Sequence, residues 1–161
     1  MPVHTATHDL DALTITFTAD FAAPLERVWQ VYTDPRLIEK WFGPPTYPAT
    51  FVHHDLRVGG RVTYFMTGPQ GQKHGGWWEF TAIEPQSLLS FDDGFADDDL
   101  QPVASMPVSH NDYRFSGAGG ATTVVTVSTY ESAEGLQKVL EMGVIEGATS
   151  AINQIDALLA S

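Results

Sequence analysis

The sequence predicts an α+β fold in which a curved antiparallel sheet of about seven strands packs against a long C-terminal helix. Most of the chain between residues 13 and 130 alternates apolar with polar residues, which is the two-residue period of half-buried strands. Residues 21–45 interrupt this alternation with helical spacing, and helical spacing returns from residue 132 onward. We therefore expect one strand, two short helices, six further strands and one long helix, in that order.

The first strand is expected at Leu13–Thr18, where every second residue is apolar and threonines fill the positions between them. Pro24 favours a first helical turn, and apolar residues then recur at helical spacing as far as residue 32. Asp34 can cap a second helix with Pro35 at its first position, and Gly43 with the two prolines after it ends that helix. Two short helices thus follow the first strand.

The remaining strands are expected at residues 49–55, 61–67, 76–84, 88–95, 106–115 and 121–130. Residues 92–101 are interpreted as a polar, acidic loop, and residues 116–120 as the turn of the last hairpin. From Ser132, a helix cap, one apolar stripe runs to the end of the chain, with Gly143 and Gly147 weakening its middle. This helix is the only element long enough to cover the apolar face of the sheet.

Length and composition are those of a globular protein. The chain has 161 residues and a hydrophobic content of 43%, which is enough to bury one continuous core. We expect a single domain over residues 1–161, in which residues 1–9 are a loose lead-in because they mix small and polar residues without a period.

The charge balance excludes several classes of protein. The 20 acidic and 8 basic residues give a net charge of −12, which repels nucleic acid and anionic lipid. The chain has no cysteine, and its N-terminus lacks the basic start and apolar run of a signal peptide. No stretch is apolar for long enough to span a bilayer. We expect a cytoplasmic protein without nucleic-acid partners or membrane insertion.

Residues 23–45 contain, in this order, Ala-Pro, Val-Trp, Thr-Asp-Pro and Lys-Trp-Phe-Gly-Pro. Together with Val58-Gly59-Gly60-Arg61 and Ile83-Glu84-Pro85, this order resembles the family of homologues of the activator of the heat shock protein 90 ATPase. That family is part of the START-like superfamily, also called SRPBCC, which includes the birch pollen allergen. The resemblance implies a helix-grip fold, in which the sheet wraps around the C-terminal helix and the gap between them is commonly a ligand cavity.

Large aromatic residues are concentrated in the second short helix and in the strands. Such side chains line apolar pockets because they offer much surface with few rotatable bonds. Adjacent strand residues point to opposite faces, so only one of Trp77 and Trp78 can face inward. The predicted cavity residues are Trp41, Phe42, Tyr64, Met66, Trp78, Phe80, Phe91, Phe95, Met106, Tyr113, Met142 and Ile145.

No motif for metal binding, a cofactor or a catalytic nucleophile is present. The histidines at positions 53, 54, 74 and 110 lack the spacing of a zinc site, and the acidic run after residue 91 lacks the order of a calcium loop. The glycine-rich segments fall in turns, without the strand-to-helix context of a phosphate-binding loop. We assign no catalytic residue, although Glu79 and His110 are candidates for acid–base chemistry.

Three functions remain open. The first is a binding protein for a small hydrophobic or aromatic molecule, and the resemblance implies a role in the stress response. The second is a co-chaperone-like interaction module, against which we note that the chain matches only one domain of the founding eukaryotic activators. The third is an enzyme similar to the polyketide cyclases and aromatases of the superfamily. Exposed sheet edges and an outward tryptophan also permit a homodimer.

Overall fold

The computed structural model describes residues 3–160, which form eight strands and five helical segments. The strands are β1 (Val3–Asp9), β2 (Thr14–Phe21), β3 (Ala49–His54), β4 (Arg61–Thr67), β5 (Lys73–Glu84), β6 (Leu88–Ala96), β7 (Ser109–Ala118) and β8 (Ala121–Tyr130). The helices are α1 (Leu25–Thr33), α2 (Pro35–Ile38), α3 (Ala133–Glu141), α4 (Val144–Asn153) and α5 (Ile155–Leu159).

All eight strands join one antiparallel sheet in the order β1-β2-β8-β7-β6-β5-β4-β3. The register shifts between Phe51 and His53 and again between Phe80 and Ala82, and such bulges bend a sheet and increase its twist. The predicted α+β helix-grip fold is confirmed. The number of strands is eight instead of about seven.

The additional strand is β1, which the sequence analysis treats as part of a loose lead-in. Residues 3–9 instead pair with β2 along their length, and the backbone N–H of Val3 donates to Asn153 Oδ1 at the end of α4 (3.2 Å). Only Val3 and Ala6 in this edge strand are half-buried, so no two-residue period reveals it. Leu13, expected to begin the first strand, has a φ of 62° in the turn before β2. Residues 1 and 2 of the predicted lead-in lie outside the described residues.

Two other boundaries differ from the prediction. Residues 92–96, predicted to begin an acidic loop, continue β6, because they complete its pairing with β5 and β7. The last hairpin is offset as well: β7 runs to Ala118, and its turn contains only Gly119 and Gly120.

The C-terminal segment is three helices rather than one rod. Ser132 Oγ caps α3 by accepting from the backbone N–H of Gly135 (3.0 Å), as the sequence predicts. Gly143 then adopts a left-handed φ of 84°, which ends the first helix and starts the next in a new direction. Among residues 3–160, no helix has the length and hydropathy needed to cross a bilayer.

The core lies between the inner face of the sheet and the helices. The inward side chains of β2 and the apolar faces of α1 and α4 supply much of it, including Phe21, Val28 and Ile152. Three hydrogen bonds join the helical segments to one another. The indole N–H of Trp41 donates to the carbonyl of Val31 (2.9 Å), and Gln154 Nε2 donates to the carbonyls of Trp41 (3.1 Å) and Gly43 (2.7 Å).

Aromatic rings of β4 and β5 pack over glycines on the neighbouring strand. Tyr64 lies over its cross-strand partner Gly76 on the inner face, and Trp77 lies over its partner Gly94 on the outer face. A Cβ atom at either glycine would overlap the ring. Both positions therefore require glycine, because an aromatic ring of the neighbouring strand lies against the backbone there.

The two hydrogen bonds from Gln154 predict a specific stability effect. Gln154→Ala should lower the free energy of unfolding by about 1–3 kcal/mol, since two part-buried carbonyls lose their donor. Gln154→Glu keeps the size but places an acceptor against the same carbonyls, so it should destabilise the protein at least as much at neutral pH. Urea denaturation measures both variants. A Gln154→Glu variant as stable as the wild type would contradict this role of the amide.

Candidate ligand cavity

A cavity of about 350 Å³ lies between the inner face of the sheet and the C-terminal helices. Its size falls in the range of small-molecule sites, about 300–1,000 Å³. Residues from every strand between β4 and β8 line its wall. Residues of β2, α1, the segment after α2, α3 and α4 complete it. Met142 (56% exposed) and His74 also line it, and because both are exposed they mark its mouth.

The structure places part of the predicted set at the cavity wall. Trp41, Phe42, Tyr64, Met66, Phe95, Tyr113 and Met142 line it. Trp78, Phe80 and Phe91 do not, because their rings pack against one another and fill the core. The Trp78 and Phe91 rings stack with centroids 4.4 Å apart, and the Phe80 and Phe91 rings meet edge to face at 6.3 Å. Met106 and Ile145 also lie off the wall, where their chain neighbours Pro107 and Val144 line it instead.

The two adjacent tryptophans have opposite surroundings. Trp78 points inward and is buried, whereas Trp77 lies half-buried on the outer face. The guanidinium carbon of Arg61 lies 5.6 Å from the centroid of the Trp77 ring, and Arg61 also pairs with Glu79 (3.3 Å). Trp77 thus belongs to an outer surface patch with no access to the cavity.

Asp93 is the one carboxyl group on the cavity wall within the described residues, and the sequence analysis did not predict it there. It lies on the inner face of β6, opposite Trp78 on β5 and Ser109 on β7, and its side chain lines the cavity. Within residues 3–160, no hydrogen bond or ion pair reaches its carboxyl group. Burial among apolar groups disfavours the charged form and raises the pKa of Asp93 from 3.8 to about 7.

The polar groups beside Asp93 are already engaged with one another. Asn111, buried in β7, donates through Nδ2 to Ser109 Oγ (3.2 Å), and Ser128 Oγ donates to Asn111 Oδ1 (2.6 Å). All these side chains line the cavity. The Tyr32 hydroxyl differs from them, because it is buried in the wall without a hydrogen-bond partner in the described residues.

The cavity wall is apolar and carries little positive charge. No lysine or arginine lines it, and His74 at the mouth is its one basic side chain within the part of the chain described here. Burial raises the pKa of the Tyr32, Tyr64 and Tyr113 hydroxyls well above the usual value of a phenol, and it raises the pKa of Tyr130 to about 12, so these phenols stay neutral. The charge on Asp93 contributes to the shifts of Tyr64, Tyr113 and Tyr130.

The acid–base candidates from the sequence lie outside the cavity. Glu79 faces outward in its pair with Arg61. His110 lies on the outer face between Asp92 (2.8 Å) and Asp112 (3.3 Å), and the hydrogen bond to Asp92 raises the pKa of His110. The alternation of β7 causes this placement, because Ser109 and Asn111 on either side of His110 point inward.

Neither His53 nor His54 lines the cavity. His54 packs edge to face against Phe80 (5.9 Å) with its Nε2 atom buried, and His53 Nδ1 contacts Thr63 Oγ1 at 2.7 Å. Among residues 3–160, no group of three histidine, aspartate or glutamate side chains is placed to hold a metal ion.

Comparisons with known proteins identify the relatives of this chain. A family model described as Activator of Hsp90 ATPase homolog 1-like protein matches residues 22–160. The crystal structure of protein Ms6760 from Mycobacterium smegmatis is 61% identical, with a TM-score of 0.91, over 98% of this chain and 97% of that one. A solution structure from Arthrobacter aurescens is 46% identical, with a TM-score of 0.94, over 98% and 92% of the two chains.

More distant structures share the fold alone. DynU16, described as a protein of the dynemicin biosynthetic locus, is 16% identical, with a TM-score of 0.63, over 92% of this chain and 48% of that one. A search of curated proteins finds no significant match.

The raised pKa of Asp93 predicts a stability cost. The carboxyl ionises near pH 4 in the unfolded chain but near pH 7 in the folded protein, so folding stability falls as pH rises between these values. Asp93→Asn should therefore be more stable than the wild type above about pH 7, by at most about 4 kcal/mol, and equal to it near pH 4.

Urea denaturation at both pH values tests this prediction. Asp92→Asn removes the same charge from the outer face of the same strand and should give no gain in stability. Asp93 is half-buried and faces the cavity, and a stability difference between Asp93→Asn and the wild type that does not change with pH would show that its carboxyl group is not desolvated there.

Proposed function

The chain belongs to the Activator of Hsp90 ATPase homolog 1-like family, and we propose that it is a binding protein that holds a small apolar or aromatic molecule in the cavity. The observation that supports this proposal best is the space itself. About 350 Å³ stays open beneath the helices although aromatic side chains surround it. Protein interiors are otherwise close-packed, so an unfilled space of this size is kept at a cost in stability.

The wall has the composition expected of a small-molecule site. Aliphatic and aromatic side chains make up most of it, and the few polar groups converge from β6, β7 and β8. Such a wall binds the body of a ligand through apolar contact and orients it through one or two polar contacts. The exposed residues at the mouth, His74 and Met142, offer a route of entry.

Acid–base catalysis on the bound molecule is a second candidate function, favoured by one observation. Asp93 has a pKa of about 7, which suits a group that takes up or releases a proton near neutral pH. No second side chain is hydrogen-bonded to Asp93 to orient it, within the described residues. For this reason we place binding first. If chemistry occurs, Asp93→Asn should abolish turnover and leave binding of the neutral substrate intact.

The co-chaperone alternative is supported by the family description alone. Mixing the protein with the heat shock protein 90 homologue of its own host and measuring ATP turnover tests it directly. A change in turnover that persists when the cavity is blocked would favour an interaction surface over the cavity as the functional site.

Blocking the cavity tests the proposed function. Gly147 on α4 lines the cavity, and the nearest atom to a Cβ placed there is Pro44 Cγ at 4.0 Å, so a side chain has room to enter. Gly147→Phe should raise the Kd of the neutral fluorescent probe N-phenyl-1-naphthylamine by more than about tenfold. Fluorescence titration measures the Kd.

Gly147→Ala is the matched control. It gains up to about 1 kcal/mol of helix stability but leaves most of the space open, so it should bind the probe as the wild type does. Circular dichroism confirms that both variants are folded. Equal binding by Gly147→Phe and Gly147→Ala would place the probe outside the cavity and contradict the proposal.

A further inference from the structure

The cavity contains one carboxyl group without a partner, and this group indicates which ligands fit. On the premise that the cavity binds a ligand, as proposed above, we propose that it selects flat apolar molecules with one basic nitrogen. Asp93 accepts the hydrogen bond of the protonated nitrogen, and the aromatic wall holds the rest of the molecule.

The missing partner is the first argument. An ionised carboxylate among apolar groups is costly unless a cation or several donors compensate it. Asn111, Ser109 and Ser128 satisfy one another instead, and the described residues give Asp93 no hydrogen bond or ion pair. The wall has no lysine or arginine to serve as a counter-ion. A cationic ligand would supply what the chain itself does not.

The surroundings of Asp93 also favour a cation. Phe95 lies two residues from it on the same face of β6, and the rings of Phe95, Tyr64 and Tyr113 line the cavity wall together with Asp93. Aromatic rings attract cations through their electron-rich faces. The phenols remain protonated and add no negative charge of their own.

The same features disfavour acids. A carboxylate or phosphate on the ligand would stand beside the charge of Asp93, in a chain whose net charge is −12. A neutral molecule of the same shape gains the apolar contacts but no ion pair.

Three probes with one ring system separate these cases: 2-naphthylmethylamine, 2-naphthylmethanol and 2-naphthoic acid. Isothermal titration calorimetry near pH 8.5, where Asp93 is ionised and the amine still largely protonated, should give a Kd for the amine at least about tenfold below that of the alcohol. The acid should bind most weakly. Asp93→Asn should abolish the preference for the amine and leave the Kd of the alcohol unchanged.

The charge-matched control is Asp92→Asn. Its side chain faces outward, bonded to His110, so this variant should keep the full preference for the amine. A loss of preference in both variants would mean that overall charge and not contact with Asp93 attracts the amine, which would overturn the inference.

Affinity for the amine should also rise between about pH 6 and about pH 8, as Asp93 loses its proton. The titratable side chains facing the cavity are Tyr32 on α1, Tyr64 on β4, His74 on β5, Tyr113 on β7 and Tyr130 on β8, and the wall residues of α3 and α4 carry none. The phenols stay neutral over this range. A rise in affinity that persists in His74→Gln and disappears in Asp93→Asn assigns the pH profile to Asp93, whereas a rise that survives in Asp93→Asn contradicts the inference.

The outcomes distinguish this inference from the proposed function. If the alcohol binds the wild type as tightly as the amine, or if the preference survives in Asp93→Asn, the inference fails and the binding function stands. If none of the three probes binds up to its solubility limit, both fail. An amine preference that disappears only in Asp93→Asn supports both.

Discussion

One side-chain amide joins the two parts of the chain that roof the cavity. Gln154, between α4 and α5, donates both of its amide hydrogens to carbonyls of the segment after α2. That segment carries Trp41 and Phe42 into the cavity wall, and the indole of Trp41 fastens it in turn to α1. The helices are thus held to one another by directed polar contacts at their ends. Apolar packing against the sheet alone would favour collapse into the space.

The interior divides into a filled part and an open part. In the filled part, the rings of Phe51, Trp78 and Phe91 pack against one another at close range. Toward β7 and β8, the inward side chains are smaller or polar, as at Ser109, Asn111 and Ser128, and the space opens there. Ser109, Asn111 and Ser128 are hydrogen-bonded to one another, whereas Asp93 and the Tyr32 hydroxyl have no hydrogen-bond partner within residues 3–160. Unsatisfied groups of this kind are typical of sites that trade stability for function.

Much of the fold follows from the period of the sequence. The strands from residue 49 to residue 130 and the cap at Ser132 lie where alternation and capping residues predict them. The strand at residues 3–9 could not be predicted, because pairing at an edge requires no buried face. The cavity wall is predictable only in part. Alternation tells which side chains point inward, but not whether packed atoms or space stand beside them, so Trp78 and Phe80 looked the same as Tyr64. Asp93 could not be recognised as a cavity residue, because it follows Asp92 at the start of an acidic run, which is typical of an exposed loop.

Because Asp92 and Asp93 are adjacent and point to opposite faces, the register of β6 against its neighbours determines which of the two faces the cavity. A shift by one residue would exchange the two aspartates, with Asp92 turned inward and Asp93 released to solvent. The Trp77 ring that lies over Gly94 opposes such a slip, because either neighbour of Gly94, Asp93 or Phe95, would bring a Cβ atom into the ring. Gly94, a residue without a side chain, thus favours one register of β6 against β5, and that register places the Asp93 carboxylate in the interior and the Asp92 carboxylate on the outer face.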